Sequence, residues 1–290
     1  MLISTETDFL SKRFGEAEAI RMLAQAGFDA YDYSQFAMLD DESHPVNGPD
    51  YKNYLRTLRQ VADDCGIVCN QSHAPFPSSW DSQDKTDAVF RKLIRSMEAA
   101  ALLGAKVIVV HPMQHLRYHG NEETLRQMNI DFYRSLIPYA KEFGIRIAAE
   151  NMWQYERHIV HSTCSRPAEF CDYLDSVDSP WLVACLDVGH ASLVHEDLSN
   201  MIHTLGRQRL QALHVHDTDY ISDLHTLPFM AKMDFSVITD SLREIGYEGD
   251  MTLEASVFCD RVPDPLVPAA VRFMAQTARY LADCVQGKNN

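Results

Sequence analysis

The sequence predicts an α/β chain folded as a single (β/α)8 barrel, the TIM barrel architecture, and three observations carry that reading. Short apolar runs of strand character alternate eight times with segments of helical period. The helical segments repeatedly stop on a glycine, at Gly27, Gly66, Gly104, Gly144 and Gly246. No Pro/Gly/Ser-rich linker interrupts the 290 residues, so 1–290 reads as one domain, and such a barrel typically needs about 250 residues.

The first strand falls over 2–5 and its helix over 16–26. The second strand covers 30–34, and the helix after it carries Tyr51, Leu55, Leu58 and Val61 near helical spacing. Strand three, over 67–72, runs into His73-Ala-Pro-Phe, and its helix spans 88–103. Strand four, over 106–111, ends at His111 before Pro112, and a helix over 122–143 follows. Strand five, over 145–150, delivers Glu150; the next helix opens on Pro167, which suits a first helical turn, and reaches 174. Strand six, over 182–187, is an apolar run closed by Asp187, with His190 three residues on and a helix over 198–205. Strand seven, over 212–217, places His214 and His216 on one face by period-two alternation, His216 nearer the rim. After a helix over 235–245, strand eight spans 250–254 and ends in Glu254, and a last helix covers 266–282. Neither a residue-level repeat nor a Gly-x-Gly-x-x-Gly or Walker loop underlies this rhythm.

The formal charge of −15 argues against broad affinity for nucleic acid or an anionic membrane, since both normally meet a basic face. The N-terminal segment lacks the basic and apolar regions of a signal peptide. No apolar run approaches the ~20 residues of a membrane span, so a cytoplasmic protein is the expectation. Seven cysteines, of which Cys65 and Cys69 are the one close pair, read as reduced and structural.

The strand ends share a chemistry. His73, His111, Glu150, Asp187 with His190, His216 and Glu254 all fall where a parallel barrel gathers its strand C-termini into one mouth. Three carboxylates facing one another would repel and raise each other's pKa values. A divalent cation bound by carboxylate oxygen and imidazole nitrogen resolves that conflict. Some members also have a structural role open to them: Asp187 as cap of the following helix, His73 as a half-buried turn residue, His111 bonded to a backbone carbonyl. Glu150 and Glu254 resist that treatment, because ionised glutamate at the end of an apolar strand is rarely buried without a partner. His214 reads as filling the barrel interior.

In its motifs the chain resembles the xylose-isomerase-like TIM barrel superfamily of sugar phosphate isomerases/epimerases, ketose 3-epimerases, inosose dehydratases and endonuclease IV. The resemblance rests on His73-Ala-Pro-Phe, Ala149-Glu150-Asn151, Asp187-Val-Gly-His190, His214-Val-His216-Asp-Thr-Asp219, Asp223-Leu-His225 and Leu253-Glu254. It implies one divalent metal ion (Mn, Mg, Co or Zn) held by Glu150, Asp187, His216 and Glu254. Glu150 and Glu254 would also be the catalytic pair that exchanges protons with the substrate. His190 would contact a sugar oxygen, and Glu156, six residues after Glu150, would touch the substrate. His73, His111, Trp153, Asp223 and His225 complete the expected substrate-binding surface, with Trp153 and Phe76 suited to stacking on a sugar face.

The sequence also departs from the pattern. Ser222 stands where ketose 3-epimerases carry a substrate-binding arginine, and Phe229 and Ala231 replace two loop glycines, so that loop cannot approach a ligand as closely. Lys232 in the same loop reads as solvated. The expectation is a metal-dependent isomerase/epimerase of a sugar or sugar derivative, working through a metal-stabilised enediolate. Its partner is a small molecule, and the resemblance is compatible with a homo-oligomer. Three alternatives remain: an inosose-type dehydratase or lyase, a non-enzymatic sugar-binding barrel, and an endonuclease-IV-like trinuclear zinc phosphodiesterase. The last would draw on His73, His111, His190, Asp223 and His225.

Overall fold

Strands buried on both faces need nearly continuous apolar sequence, and these runs build the barrel in the computed structural model, which describes residues 1–288. In chain order the strands are β1 (Ile3–Thr5), β2 (Ala30–Ser34), β3 (Val68–His73), β4 (Val107–Val109) and β5 (Arg146–Glu150). A short hairpin follows, β6 (Trp153–Tyr155) with β7 (Ile159–His161), and then β8 (Leu182–Asp187), β9 (Leu210–His214) and β10 (Met251–Leu253). Six strands pair in the order β2-β3-β4-β5-β8-β9, all in parallel, and β1 pairs with β10. Parallel bridges Glu6–Asp32 and Val215–Leu253 join these sheets at both seams, so the barrel closes.

The helices are α1 (Asp8–Phe14), α2 (Glu16–Ala26), α3 (Ala37–Asp40), α4 (Tyr51–Cys65), α5 (Gln83–Leu103) and α6 (Glu122–Phe143). They continue with α7 (Pro167–Val177), α8 (Val188–Leu193), α9 (Leu198–Arg209), α10 (Phe235–Glu244) and α11 (Val267–Val285). The four glycines after α2, α4, α5 and α6 take the left-handed conformation that ends a helix, as their placement predicts.

Period-two alternation divides the core. Ile108, Ile147, Ala149, Leu186 and Leu213 face the helices in one large cluster. Val107, Val109, Ala148, Val183, Cys185 and Ala212 face inward as a second, smaller one. The inward side chains are short, which leaves room for polar residues one layer up at the strand C-termini.

Seven elements differ from the reading of the sequence: α1, α8, β6, β7, α5, α9 and β9. α1 and α8 are short helices without a full amphipathic period, and the β6–β7 hairpin offers only three residues per strand. α5 begins five residues earlier than 88, at Gln83. α9 runs on to Arg209 through a non-helical Gly206. β9 accordingly starts at Leu210 and ends at His214, leaving His216 beyond the strand. No disulfide links the cysteines. Among the described residues, no helix is long and apolar enough to cross a membrane.

Candidate active site

β3 delivers His73, β5 Glu150, β8 Asp187 and β9 His214, while His111, His216 and Glu254 follow just after β4, β9 and β10. All seven are buried. His214 stands at the centre, its Nδ1 3.2 Å from Glu150 Oε1 and 3.3 Å from Glu254 Oε2. Its Nε2 lies 3.5 Å from Asp32 Oδ2. On one side, His73 and His111 meet Nε2 to Nε2 at 3.0 Å, and His111 Nε2 is 2.8 Å from Glu150 Oε2. On the other, His216 Nε2 lies 3.0 and 3.2 Å from the two oxygens of Asp187. Asp223 Oδ2 sits between His225 Nε2 at 3.2 Å and His190 Nε2 at 3.6 Å.

Backbone carbonyls orient three of these rings. Nδ1–H donates to Ala74 O from His73, to Asn151 O from His190 and to Glu254 O from His225. That fixes the proton on Nδ1 and leaves Nε2 to face the cluster, the second-layer arrangement of metal-binding histidines. Asn151 also clamps the Asp187 backbone, accepting its N–H at 2.8 Å and donating to its carbonyl at 2.9 Å. Asp187 Oδ1 caps α8 through the His190 N–H, and both of its oxygens face His216.

Charge is packed tightly here. Burial pushes the Glu150 carboxyl up, but His214 and His111 beside it overcome that and hold it well below the usual carboxylate range. Burial, with the charges of Glu150 and Asp187 behind it, leaves Glu254 raised despite nearby His214 and His225. Burial lowers His111 to about 4. Burial opposes the charged form of His225 too, yet Asp223 and Glu254 raise it to about 10.

Several groups could hold a cation. Ligand atoms lie within 4.8 Å of one another in Glu150/Asp187/His214/Glu254, in His190/His216/Asp223/His225, in His73/His111/Glu150 and in His73/His214/Glu254. The expected carboxylates Glu150, Asp187 and Glu254 therefore come together. His214 completes that group, whereas His216, the ligand implied by resemblance, touches Asp187 but groups with His190, Asp223 and His225. A tetrahedral ion about 2.0–2.1 Å from each ligand separates its ligands by about 3.3 Å, close to the spacings seen here. Apart from the ion-pair approaches given above, Glu150 Oε2, Glu254 Oε2, His214 Nε2, His216 Nδ1 and Asp223 Oδ1 are buried without a well-aligned hydrogen bond. Unsatisfied buried polar atoms of this kind are costly, and a divalent ion would engage the carboxylate oxygens among them.

A cavity of about 550 Å³ opens above the cluster. Of the expected substrate contacts, His111, His190, Trp153, Asp223 and His225 line it, as do Phe76 and both glutamates. His73 lies beneath. Glu156 is turned away, outside the lining, with its carboxylate on Arg117 at 2.6 Å and on His119 at 3.3 Å. The 228–234 loop also stays clear: Phe229 packs on Phe235 and Tyr280, and the Asp217 carboxylate holds the Ala231, Lys232 and Met233 N–H groups.

Three participants have no assigned role in the sequence reading. Asp32 could have been flagged by alternation within β2. Glu6, just past the three-residue β1, gives no periodic signal, and burial pushes its carboxyl up to about 8. Gly189 lets the His216 ring lie against the backbone, where any Cβ would overlap it.

The xylose isomerase-like TIM barrel model matches residues 20–277. An uncharacterised protein of Methanocaldococcus jannaschii is 25% identical over 252 residues, which cover 84% of this chain and 80% of that protein. The fructoselysine 3-epimerase of Escherichia coli O157:H7 is 29% identical over 119 residues, 41% of this chain and 42% of that protein. Among solved structures, a D-tagatose 3-epimerase-like protein matches with a TM-score of 0.75 at 19% identity, covering 100% of both chains. The 3-keto-D-glucoside 4-epimerase of E. coli matches with a TM-score of 0.73 at 20% identity, over 97% of this chain and 99% of that one. At these identities the structural likeness establishes the fold.

Proposed function

The chain belongs to the xylose isomerase-like TIM barrel family, and from that premise we propose that it is a metal-dependent isomerase or epimerase of a sugar or sugar derivative. The observation that carries this reading is the pair of buried glutamates, Glu150 and Glu254, from β5 and the end of β10. Both line one cavity and both lie within 3.3 Å of the same imidazole. The epimerase names of the relatives support it.

Glu150 and Glu254 approach a bound sugar from different strands, so one carboxylate can remove the proton beside a carbonyl and the other can return it. A divalent ion held by Glu150, Asp187, Glu254 and a histidine, His216 by resemblance or His214 by position, would supply Lewis-acid polarisation of the substrate carbonyl. His190, its Nδ1 tied to Asn151 O, presents Nε2 for a sugar oxygen. Trp153, its Nε1–H on Asp223 at 3.2 Å, offers an aromatic wall.

Deuterium uptake from heavy water into a panel of ketoses and aldoses tests the reaction, alongside metal counting by elemental mass spectrometry. About one ion per chain and exchange at a single carbon is the expected result. The groups His73/His111/Glu150 and His190/His216/Asp223/His225 favour one rival, a trinuclear zinc phosphodiesterase. About three zinc ions per chain with cleavage of abasic-site DNA, and no exchange into any sugar, would establish that rival instead.

A further inference from the structure

We infer that this cavity selects a sugar derivative carrying a positively charged nitrogen and rejects phosphorylated sugars, and that Glu6 is the residue that meets the nitrogen. The sugar part of the inference rests on the isomerase reading; the charge part rests on the cavity itself.

Neither lysine nor arginine lines the cavity among the described residues, whereas Glu6, Asp8, Glu150, Asp223 and Glu254 all do. Glu150, Asp223 and Glu254 are engaged with the histidine cluster, and Asp8 is paired with Lys12 at 2.6 Å. Glu6 has no such counter-charge; burial and the neighbouring acids favour its neutral form, and a cationic nitrogen arriving beside it would favour the charged one. It is 4% exposed, and its Oε1 is buried without a hydrogen-bond partner. A buried carboxylate oxygen left open beside a ligand cavity is a place for a donor that arrives with the ligand.

The lining gives a phosphate no arginine or lysine clamp, and the other oxygen of Glu6, Oε2, accepts the Asp8 N–H at 2.5 Å. The remaining wall is aromatic, with Phe36, Phe76, Trp153 and Tyr155 in the lining. Such faces attract an alkylammonium group, and the imidazoles of the lining are already engaged by Glu150 and Asp223.

The test is calorimetric titration of metal-loaded protein with D-fructose, D-fructose 6-phosphate, and 1-amino-1-deoxy- and 6-amino-6-deoxy-D-fructose, run beside deuterium exchange on each. At least one amine should bind about tenfold or more tighter than fructose, the worth of one charge-assisted hydrogen bond, and the phosphate should bind more weakly than fructose. Glu6→Gln should bring the amine-to-fructose affinity ratio towards one; an unchanged ratio removes Glu6 from the role. The wild-type series decides the ligand class even where that variant fails to fold. If fructose binds and exchanges while neither amine gains, or the phosphate matches fructose, the inference falls and the isomerase reading stands. If no sugar binds or exchanges, both fall.

Discussion

At the bottom of the barrel, a cavity of about 490 Å³ is lined by Arg59, Lys106 and Arg146 together with Asp63, Glu248 and Asp250. Asp250 accepts from the Leu2 N–H and the Asn70 side chain, both at 3.0 Å, which ties the start of β1 to β10 and β3. Arg59 donates to the Leu103 carbonyl at 3.0 Å, and Arg146 bonds Gln211. Of the residues lining this cavity, Asn70 alone keeps a buried polar atom, Oδ1, without a well-aligned hydrogen bond. At the top, Glu6, His111, Glu150, Asp223 and Glu254 all do. Charge at the bottom is spent on holding the strands in register. Charge at the top is left incomplete, in a layer that an outside group must finish, in keeping with the division between stability and chemistry in barrels of this kind.

Glu150→Gln and Glu254→Gln should sharpen this contrast most. Each is expected to lower proton exchange about a thousandfold or more. Glu254→Gln should leave the melting temperature unchanged or higher, because burial and neighbouring acids disfavour that carboxylate, whereas Glu150→Gln should lower it, because His214 and His111 favour the charged form there. Near-normal exchange in either variant would remove the assigned acid/base roles. Metal should come next: at about 1,000 times its dissociation constant an ion that binds only the folded chain adds about 4 kcal/mol to unfolding, read by denaturant titration with and without EDTA. No shift would break the contrast.

The same titration run against pH carries a sign. With the His225 pKa raised to about 10 in the folded chain against an ordinary value near 6.5, its pairing with Asp223 stabilises fully below pH 6.5 and is lost as pH rises through 10. The metal-free protein should therefore lose this contribution across that window. Metal stabilisation should grow across it, since ligation needs neutral imidazole. A metal effect that is flat between pH 6.5 and 10 would take His225 out of the ion's surroundings.

Asp250→Ala should show the opposite behaviour to the top variants, costing about 1–3 kcal/mol of stability with exchange within twofold of wild type. The smallest effect is expected from Glu156→Ala. With its carboxylate on Arg117 and His119 outside the cavity, the Michaelis constant should change less than about threefold; a larger rise would return Glu156 to the substrate.

The same contrast explains what was legible in the sequence. Glycine stops and strand-end acids are local signals, so the eight strand–helix units and the convergence of Glu150, Asp187 and Glu254 could be read directly. His214 and His216 were harder, because alternation puts both on one face and only the end of β9 decides which one reaches the glutamates. Glu156, carried over by its spacing from Glu150, falls in the β6–β7 turn, where its carboxylate meets Arg117 and His119, contacts that no local sequence pattern signals. Glu6 follows a strand too short for alternation to mark its direction.

Gly189 sets the terms on which this barrel could be re-engineered. Because the His216 ring occupies the volume of the missing side chain, the 187–190 turn and the His216 imidazole must be transplanted together or not at all. Phe36, Phe76 and Tyr155 form the cavity wall without holding any of the buried carboxylates. A library that varies those three and freezes the turn would explore new substrates without dismantling the centre, whereas one that randomises position 189 would return mostly inactive clones.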